Sequence, residues 1–516
     1  MEVFEIVIAL LLGGALLAAI ARRLATPYPA LVAIAGAALA LFPRVPALVL
    51  DPELALALFV APVLLDAAFD ASQRDLRRNW RAVASLALGA VLLTVIVVAV
   101  VAHALVPGMP WAAAIALGAI VAPPDAAAAT AVLKQLRPPH QLLVVLEGES
   151  LFNDASALLI YRFAIAASAA GFVSGWSLGG TLIAVGAGSV TLGFVLSRIL
   201  GLLITRIHDV GTAVIVQFCS TFAVWMLAEG LHLSGILTMV VFAMAISRIA
   251  AQATPARVRV PSYAVWEVAV FVLNVLAFIL VGLQLRQIVE RTAWRQDVGV
   301  AAAVCAAVVL ARIVWVSGAA AVSRWRCRPR PGRDVPRDVV ALSGRAAYIA
   351  GWCGMRGIVT LAAALALPVS FPQRDLIFFT AFAVVLVTLV VQGMTLRPLL
   401  LWLDVRDDGS IEREVQLARV ETLRAALDAA NASGGGESAE LLRRRYEWRL
   451  RRAQGNDDSH VDEAEVVRAA TAAERRRLVE LRDDGTIGDA AFQQVEQELD
   501  LRELELQEIG GLTRRA

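Results

Sequence analysis

The chain has 516 residues, of which 59% are hydrophobic and only 18% charged, with a formal net charge of +2. Soluble domains usually carry about a quarter of their residues as charged groups. Charge is also unevenly spread, because charged residues make up about 12% of residues 1–405 and about 39% of residues 406–516. The composition excludes a soluble enzyme, a secreted disulfide scaffold and a single-span receptor. It predicts a transmembrane domain at 1–405 and a charged helical tail at 406–516.

Thirteen apolar segments are each long enough to cross the hydrocarbon core of a bilayer, which takes about 20 helical residues. Arg22 and Arg23 follow the first segment and acidic residues precede it, the reverse of a signal peptide, so we expect a retained helix. Twelve or fourteen segments also fit the sequence, because the eighth and ninth leave almost no loop between them. The thirteen segments lie near 3–21, 27–44, 51–70, 80–105, 111–132, 141–167, 178–204, 210–231, 233–250, 264–285, 298–322, 338–367 and 375–402.

The basic residues orient these segments. Loops that follow odd-numbered segments hold about 18 of them, including six arginines in 323–337, whereas loops that follow even-numbered segments hold about five. Basic loops stay on the cytoplasmic side of a membrane. The pattern therefore predicts thirteen spans, an N-terminus outside the cell and a cytoplasmic tail.

The fifth segment carries two adjacent prolines at its middle. Pro123 and Pro124 remove two backbone donors and clash with the preceding turn, so we expect the helix to break there, with a simple kink as the alternative. A break frees backbone carbonyls and half-helix ends, which transporters use to hold ions near the bilayer midplane. Asp125 follows directly, where its carboxylate could accept freed amide hydrogens or face the ion.

The twelfth segment offers a counterpart around Arg356. Three glycines there permit a second unwound stretch, as an inverted repeat would need, although glycines are also common where membrane helices pack closely. An arginine at this depth needs an anion, and Glu149 or Glu147 is the expected partner. The glycines are Gly351, Gly354 and Gly357.

Polar groups of the sixth segment fall on two neighbouring stripes of a helix. At about 100° per residue, one stripe holds Glu147, Ser150 and Asp154, and the other holds Glu149 and Asn153. Charged groups at bilayer depth are costly and usually mark an ion pathway or a paired structural site. A structural network can explain some of these groups, but it leaves a carboxylate without an obvious cation beside it.

Asp154 is the residue that we predict to bind the transported ion. Hard oxygen ligands beside a helix break suit an alkali cation. Burial and neighbouring carboxylates favour the protonated form of a carboxyl group. Asp154 could therefore hold either a proton or a cation, and this competition is what exchange requires. The expected ligands are the Asp154 carboxylate, Ser150, Asn153, the Pro124 carbonyl and Asp125.

Together these residues resemble the monovalent cation:proton antiporter-1 family, the bacterial sodium/proton antiporters. The resemblance covers nearly the whole membrane region, and the Asn-Asp pair at 153–154 is highly specific. Residues 483–503 also resemble tails of a bacterial branch of that family. The matching motifs are APPDAAAATAVLK (122–134), EGESLFND (147–154), LAEGLHLSG (227–235), WEVAVFVLNVLAFILVGLQL (266–285) and GWCGMRGIVTLAAALALP (351–368).

The resemblance implies a thirteen-helix inverted-repeat fold in which the fifth and twelfth segments cross as broken helices. A mobile core would comprise roughly residues 80–167 and 338–402, and the other helices would form a dimerisation domain. It further implies a homodimer in the bacterial inner (plasma) membrane that exchanges sodium for protons by alternating access, for pH and sodium homeostasis. We expect no enzymatic reaction, no resident cofactor and no nucleic-acid partner.

The resemblance also assigns roles by position. Asp154 matches the essential cation- and proton-binding aspartate, Asn153 its structural neighbour and Ser150 a side-chain ligand of sodium. Glu149 matches a glutamate that contacts the asparagine and a core arginine, here expected to be Arg356. An Asn-Asp pair in place of two aspartates resembles the electroneutral branch, which exchanges one cation for one proton.

The chain departs from the family at Pro124-Asp125, where many members have Thr-Asp-Pro. The threonine hydroxyl is absent, so the backbone carbonyl at 124 is the expected contribution, and ion selectivity transfers less directly. Six further residues match recurrent family positions and are predicted to be structural. They are Glu229, Ser234, Gly235, Glu267, Asn274 and Arg312.

Other functions stay open. A potassium-preferring antiporter is one alternative, and lithium is a further possible substrate. A cation channel lined by the same polar network is another, but paired broken helices and a single titratable site argue against it. An intramembrane hydrolase is disfavoured because the sequence has no GxSG, HExxH or paired catalytic-aspartate pattern.

Overall fold

A computed structural model gives the fold of the chain. All regular secondary structure in its described residues is helical, which confirms the all-α prediction. The chain divides into two compact units, Met1–Asp408 and Gly409–Ala516. The described residues are 2–24, 26–42, 52–125, 138–170, 175–204, 209–286, 294–326, 343–405, 409–432 and 437–454, with scattered residues in 128–136, 206–207, 407 and 473–499.

The helices of the first unit are mostly apolar, and three of them contain a π turn. The first half holds α1 (Glu2–Leu24), α2 (Tyr28–Ala40), α3 (Pro52–Ala55, the π turn Leu56–Val60 and Ala61–Asp70), α4 (Gln73–Arg78), α5 (Trp80–Ala84, the π turn Ser85–Ala90 and Val91–Leu105), α6 (Trp111–Val121), α7 (His140–Ala170) and α8 (Gly175–Ile204). The second half holds α9 (Val210–Gly230), α10 (Gly235–Ala253), α11 (Ala256–Leu283), α12 (Trp294–Arg326), α13 (Gly344–Trp352), α14 (Ile358–Leu365) and α15 (Arg374–Val387, the π turn Thr388–Gln392 and Gly393–Leu403).

Seven of the described helices are long and apolar enough to cross a membrane, namely α1, α5, α8, α9, α11, α12 and α15. The apolar helices α2, α6 and α10 are shorter. Each of the thirteen predicted segments contains helix, which confirms a multi-pass helical protein, while the number of spans stays a prediction. Most of the basic loop at 323–337 and the site of Lys134 lie outside the described residues.

Both predicted helix breaks are present. Helix α6 ends at Val121, residues 123–125 are not helical, and helical residues resume at 128–130. Helix α13 ends at Trp352 and α14 begins at Ile358, so residues 353–357 form the second break. The prolines therefore interrupt the helix instead of merely bending it.

Helix α7 runs unbroken between these interrupted helices. It begins at His140, directly after Pro138 and Pro139, which are well tolerated before a helix but not inside one. Its 31 residues span about 46 Å, enough to cross a bilayer. The residues of the candidate ion site lie near its middle.

Helices α2 and α11 approach each other closely at Gly36 and Gly282. A β-carbon on Gly36 would lie 2.5 Å from the carbonyl oxygen of Ile279, and one on Gly282 would lie 2.5 Å from the amide nitrogen of Ala37. Small residues allow the backbones of membrane helices to come this near. The crossing therefore depends on the absence of two side chains.

We expect Gly282→Ala to lower the midpoint temperature of thermal unfolding in detergent. The added methyl group overpacks a backbone contact, at a cost of roughly 1–3 kcal/mol. Gly299→Ala in α12 is the matched control, because no atom lies within 4 Å of its β-carbon position. Equal unfolding temperatures for the two variants would contradict the close approach.

The second unit contains two antiparallel helices, α16 (Ser410–Ala432) and α17 (Glu437–Ala453). Arg443 near the start of α17 donates a 3.3 Å hydrogen bond to the carbonyl oxygen of Ala430 near the end of α16. At the opposite ends, the Gln416 amide donates to the carbonyl oxygen of Ala453. Most of residues 483–503 lie outside the described residues.

Candidate functional site

Asn153 and Asp154 lie beside the break that follows α6. The side-chain nitrogen of Asn153 donates a hydrogen bond of 2.8 Å to the carbonyl oxygen of Pro124. Asn153 is fully buried and Asp154 is only 8% exposed. A carbonyl at a helix end has lost its helical donor, and Asn153 supplies a replacement. The structure thus brings the Asn-Asp pair and Pro124 together.

The two helix breaks cross each other and exchange hydrogen bonds. The amide nitrogen of Asp125 donates to the carbonyl oxygen of Met355 over 2.7 Å. Arg356, in the second break, donates from its side chain to the carbonyl oxygens of Val121 (3.0 Å) and Ala122 (3.3 Å). These carbonyls form the C-terminal end of α6, where a helix dipole is negative. Arg356 therefore stabilises the crossing from the second break.

Gly357 is required where the second break meets Asp125. A β-carbon at this position would overlap the Asp125 carboxylate. Asp125 also interacts electrostatically with Asp154, so two carboxyl groups lie near the crossing. Two neighbouring carboxylates are unfavourable together unless a proton or a cation compensates their charge.

The expected pairing of Arg356 with Glu149 or Glu147 is wrong. Glu149 forms a two-pronged ion pair with Arg312 of α12, with N–O distances of 2.5 and 2.9 Å. Both side chains are buried, Arg312 at 2% and Glu149 at 1% exposure. Arg356 instead donates to carbonyl oxygens of both breaks, including that of Gly354. Carbonyl oxygens at the breaks, and not a carboxylate, therefore accept the hydrogen bonds of the Arg356 guanidinium.

Sequence reasoning placed Arg312 among the structural positions but missed its partner. The signal in the sequence is its charge within an apolar segment, which calls for an anion without identifying it. Which carboxylate it meets depends on the faces that α7 and α12 present to each other. Arg312 also donates a 3.1 Å hydrogen bond to the carbonyl oxygen of Ala350, near the end of α13.

Glu147 and Ser150 lie on the same face of α7 as Asp154, about two turns and one turn before it. Both are half-buried. The face that carries Asp154 therefore also carries a hydroxyl and a second carboxylate, as the helical spacing predicts. The role of Ser150 as an ion ligand stays a prediction.

Asp154 is buried near the first break, with the carboxyl group of Asp125 close to it. Asp125 is the charged neighbour that acts on Asp154, and no arginine or lysine among the described residues pairs with Asp154. The side-chain oxygen of Asn153 is also buried, and it has no hydrogen-bond partner among the described residues. A buried carboxylate without a counter-ion is costly, so Asp154 has to bind a cation or take up a proton.

The other positions predicted to be structural belong to helices α9, α10 and α11. Glu229 at the end of α9 pairs with Arg162 of α7 over 2.7 Å and accepts a 3.1 Å hydrogen bond from the first amide of α10. Ser234 caps the start of α10. In α11, Asn274 is buried and Glu267 is exposed.

We expect a double-mutant cycle to identify the partner of Glu149. Glu149→Gln should lower the unfolding temperature strongly, because an unpaired buried arginine costs about 3–5 kcal/mol. Combining it with Arg312→Gln should cost much less than the sum of the single changes. The cycle of Glu149→Gln with Arg356→Gln is the control. Stronger coupling to Arg356 than to Arg312 would contradict the ion pair.

Comparisons with known proteins identify the family of the chain. The family described as "Sodium/hydrogen exchanger, transmembrane" matches residues 7–402. A protein of Mycobacterium tuberculosis named as a Na(+)/H(+) exchanger is 32% identical, over 93% of this chain and 91% of its own length. A sodium, potassium, lithium and rubidium/H(+) antiporter of Bacillus pumilus is 30% identical, over 83% of this chain and 66% of its own.

The fold is similar to that of a solved structure, the sodium proton antiporter of Methanocaldococcus jannaschii. The TM-score is 0.61, and the match covers 78% of this chain and 99% of that one. At 17% sequence identity, the likeness concerns the fold alone. The two chains therefore share a fold.

Proposed function

The chain belongs to the sodium/hydrogen exchanger family, and we propose that it exchanges a monovalent cation for a proton across the membrane, with Asp154 as the shared binding site. The observation that carries the proposal is the contrast between two buried carboxylates of α7. Glu149 is neutralised by Arg312, whereas Asp154 has no such partner among the described residues. Asp154 is therefore the group whose charge a transported ion has to compensate.

A proton and a cation compete for Asp154 because both neutralise the same carboxylate. When the site faces one side of the membrane, the cation displaces the proton. When it faces the other side, the reverse exchange completes the cycle. Replacing one proton by one monovalent cation leaves the charge of the site unchanged, so the proposed exchange is electroneutral.

The proposed cation is sodium, and potassium and lithium are further candidates. The names of the relatives support this class, since they include sodium alone and sodium with potassium, lithium and rubidium. The proposal includes a homodimer in the bacterial plasma membrane, with the N-terminus outside and the tail in the cytoplasm. Its role would be pH and sodium homeostasis.

We expect Asp154→Asn to abolish cation-driven proton movement in everted membrane vesicles. An amide cannot exchange a proton for a cation, so adding sodium, potassium or lithium should no longer dequench a pH-sensitive dye. Asp375→Asn is the matched control, because Asp375 is an exposed carboxylate at the start of α15. Both variants are compared at equal amounts of protein in the membrane.

Exchange by Asp154→Asn at the wild-type rate would refute the role of Asp154. Cation currents without coupled proton movement in the wild-type protein would instead favour a channel. A rate that changes when the membrane potential is clamped at different values would contradict one-for-one exchange.

Acidification should weaken cation binding without lowering the maximal rate at saturating cation. If proton and cation share Asp154, the apparent KM for sodium rises as pH falls, by up to about tenfold per pH unit. Initial rates in proteoliposomes with equal pH on both sides measure this dependence. A fall in maximal rate at constant KM would contradict a shared site and indicate a separate pH-sensitive group.

A further inference from the structure

A large cavity lies between α7 and the helices α5, α8, α9 and α10. Its volume is about 1350 Å³, above the roughly 300–1,000 Å³ of pockets for drug-sized ligands. Most of the side chains that line it are apolar, among them Leu88, Leu159 and Trp225. No described residue of its lining belongs to the predicted oxygen ligands of the cation. Phe152 and Ala155, which flank the Asn153–Asp154 pair on α7, do line it, so the cavity borders the candidate cation site without sharing its ligands.

One end of this cavity has a basic and aromatic rim. Arg77 of α4 and Trp80 at the start of α5 line it, and Trp80 is 58% exposed. The Arg81 guanidinium lies 5.6 Å from the centre of the Trp80 ring. Arg74 and Arg78 are exposed on the same short helix as Arg77. Arginines and tryptophan together are typical of the boundary between hydrocarbon and lipid head groups.

Arg77 forms no ion pair with another described residue, whereas Arg78, Glu53 and Asp70 each have an interaction partner. Asp75 of α4 lies 3.2 Å from the ring nitrogen Nε2 of His140 on α7. Glu53, which also lines the cavity, lies near the start of α3, about 25 Å along that helix from its end before α4. Arg162 and Glu229 line the cavity as an ion pair, so their charges cancel.

We propose that the cavity binds one anionic phospholipid, with its phosphate on Arg77 and an acyl chain along the apolar wall. The basic rim complements a phosphate, and clustered arginines beside a membrane helix favour anionic over zwitterionic lipids. The apolar wall offers few ligands to a hydrated cation but suits a hydrocarbon chain.

Fluorescence quenching by brominated lipids tests the head-group contact. The protein is placed in nanodiscs with phosphatidylglycerol or phosphatidylcholine brominated on the acyl chain, and the signal of Trp80→Phe is subtracted to isolate Trp80. We expect the phosphatidylglycerol to quench Trp80 more strongly. Arg77→Gln should lower this preference by about fivefold, equivalent to about 1 kcal/mol for one basic residue at an anionic surface. Arg257→Gln, an exposed arginine of α11 outside the cavity, should leave it unchanged.

A cavity-filling variant tests the position of the acyl chain. Gly186 of α8 lines the cavity, and no atom lies within 4 Å of its β-carbon position, so Gly186→Phe can enter the space without a clash at its first atom. Gly180→Phe on the same helix, equally open but outside the cavity, is the control. Native mass spectrometry should show loss of retained phosphatidylglycerol from Gly186→Phe alone.

Two results would overturn the proposal. One is equal quenching of Trp80 by the two brominated lipids in the wild-type protein. The other is retention of phosphatidylglycerol by Gly186→Phe at the level of Gly180→Phe. Thermal unfolding of each variant in the same nanodiscs shows that it is folded, so that a loss of lipid reports on the cavity.

Discussion

Backbone groups that are freed at bilayer depth need partners inside the protein, and this requirement governs the arrangement of the first unit. Each unsatisfied carbonyl or amide in hydrocarbon costs several kcal/mol. The two helix breaks meet the requirement by crossing, since the amide of Asp125 bonds to the carbonyl of Met355 and Arg356 donates to the end of α6. Asn153 satisfies the carbonyl of Pro124 from α7. Because Asp154 follows Asn153 on α7, the crossing also holds Asp154 close to the breaks.

The same requirement decides how the buried charges are distributed. Because carbonyls of the breaks occupy the guanidinium of Arg356, this arginine is not available to a carboxylate. Glu149 pairs with Arg312 instead, and its charge is cancelled by a partner on α12. Asp154 keeps an uncompensated carboxyl group in the same part of the helix. Helix α7 thus carries two different buried carboxylates: that of Glu149 is held in an ion pair, whereas that of Asp154 is free to change its ligand.

Local chemistry made part of this arrangement predictable from the sequence. Two adjacent prolines within a helix break it, and helical spacing alone places Ser150 and Asp154 on one face of α7. The partner of Arg312 was not predictable, because it depends on which faces of distant helices meet. The approach of Gly36 to Gly282 was not predictable for the same reason, since a glycine in an apolar segment does not reveal which backbone it will contact. The lipid cavity too arises from packing between helices far apart in the chain.

The strength of the contacts around α7 differs between its two sides, and this difference suits movement. Asn153 and Glu149 attach α7 to α6 and α12 through buried interactions, and breaking a buried ion pair costs about 3–5 kcal/mol. On the side of α9, Arg162 and Glu229 are 47% and 38% exposed, and such exposed pairs contribute about 0–1 kcal/mol. The apolar cavity lies on this weaker side. Displacement of α7 with its ion site relative to α9 would therefore break one weak ion pair, while the crossing of the two breaks would move as one body. A lipid chain in the cavity would fill the space that such a displacement opens and closes.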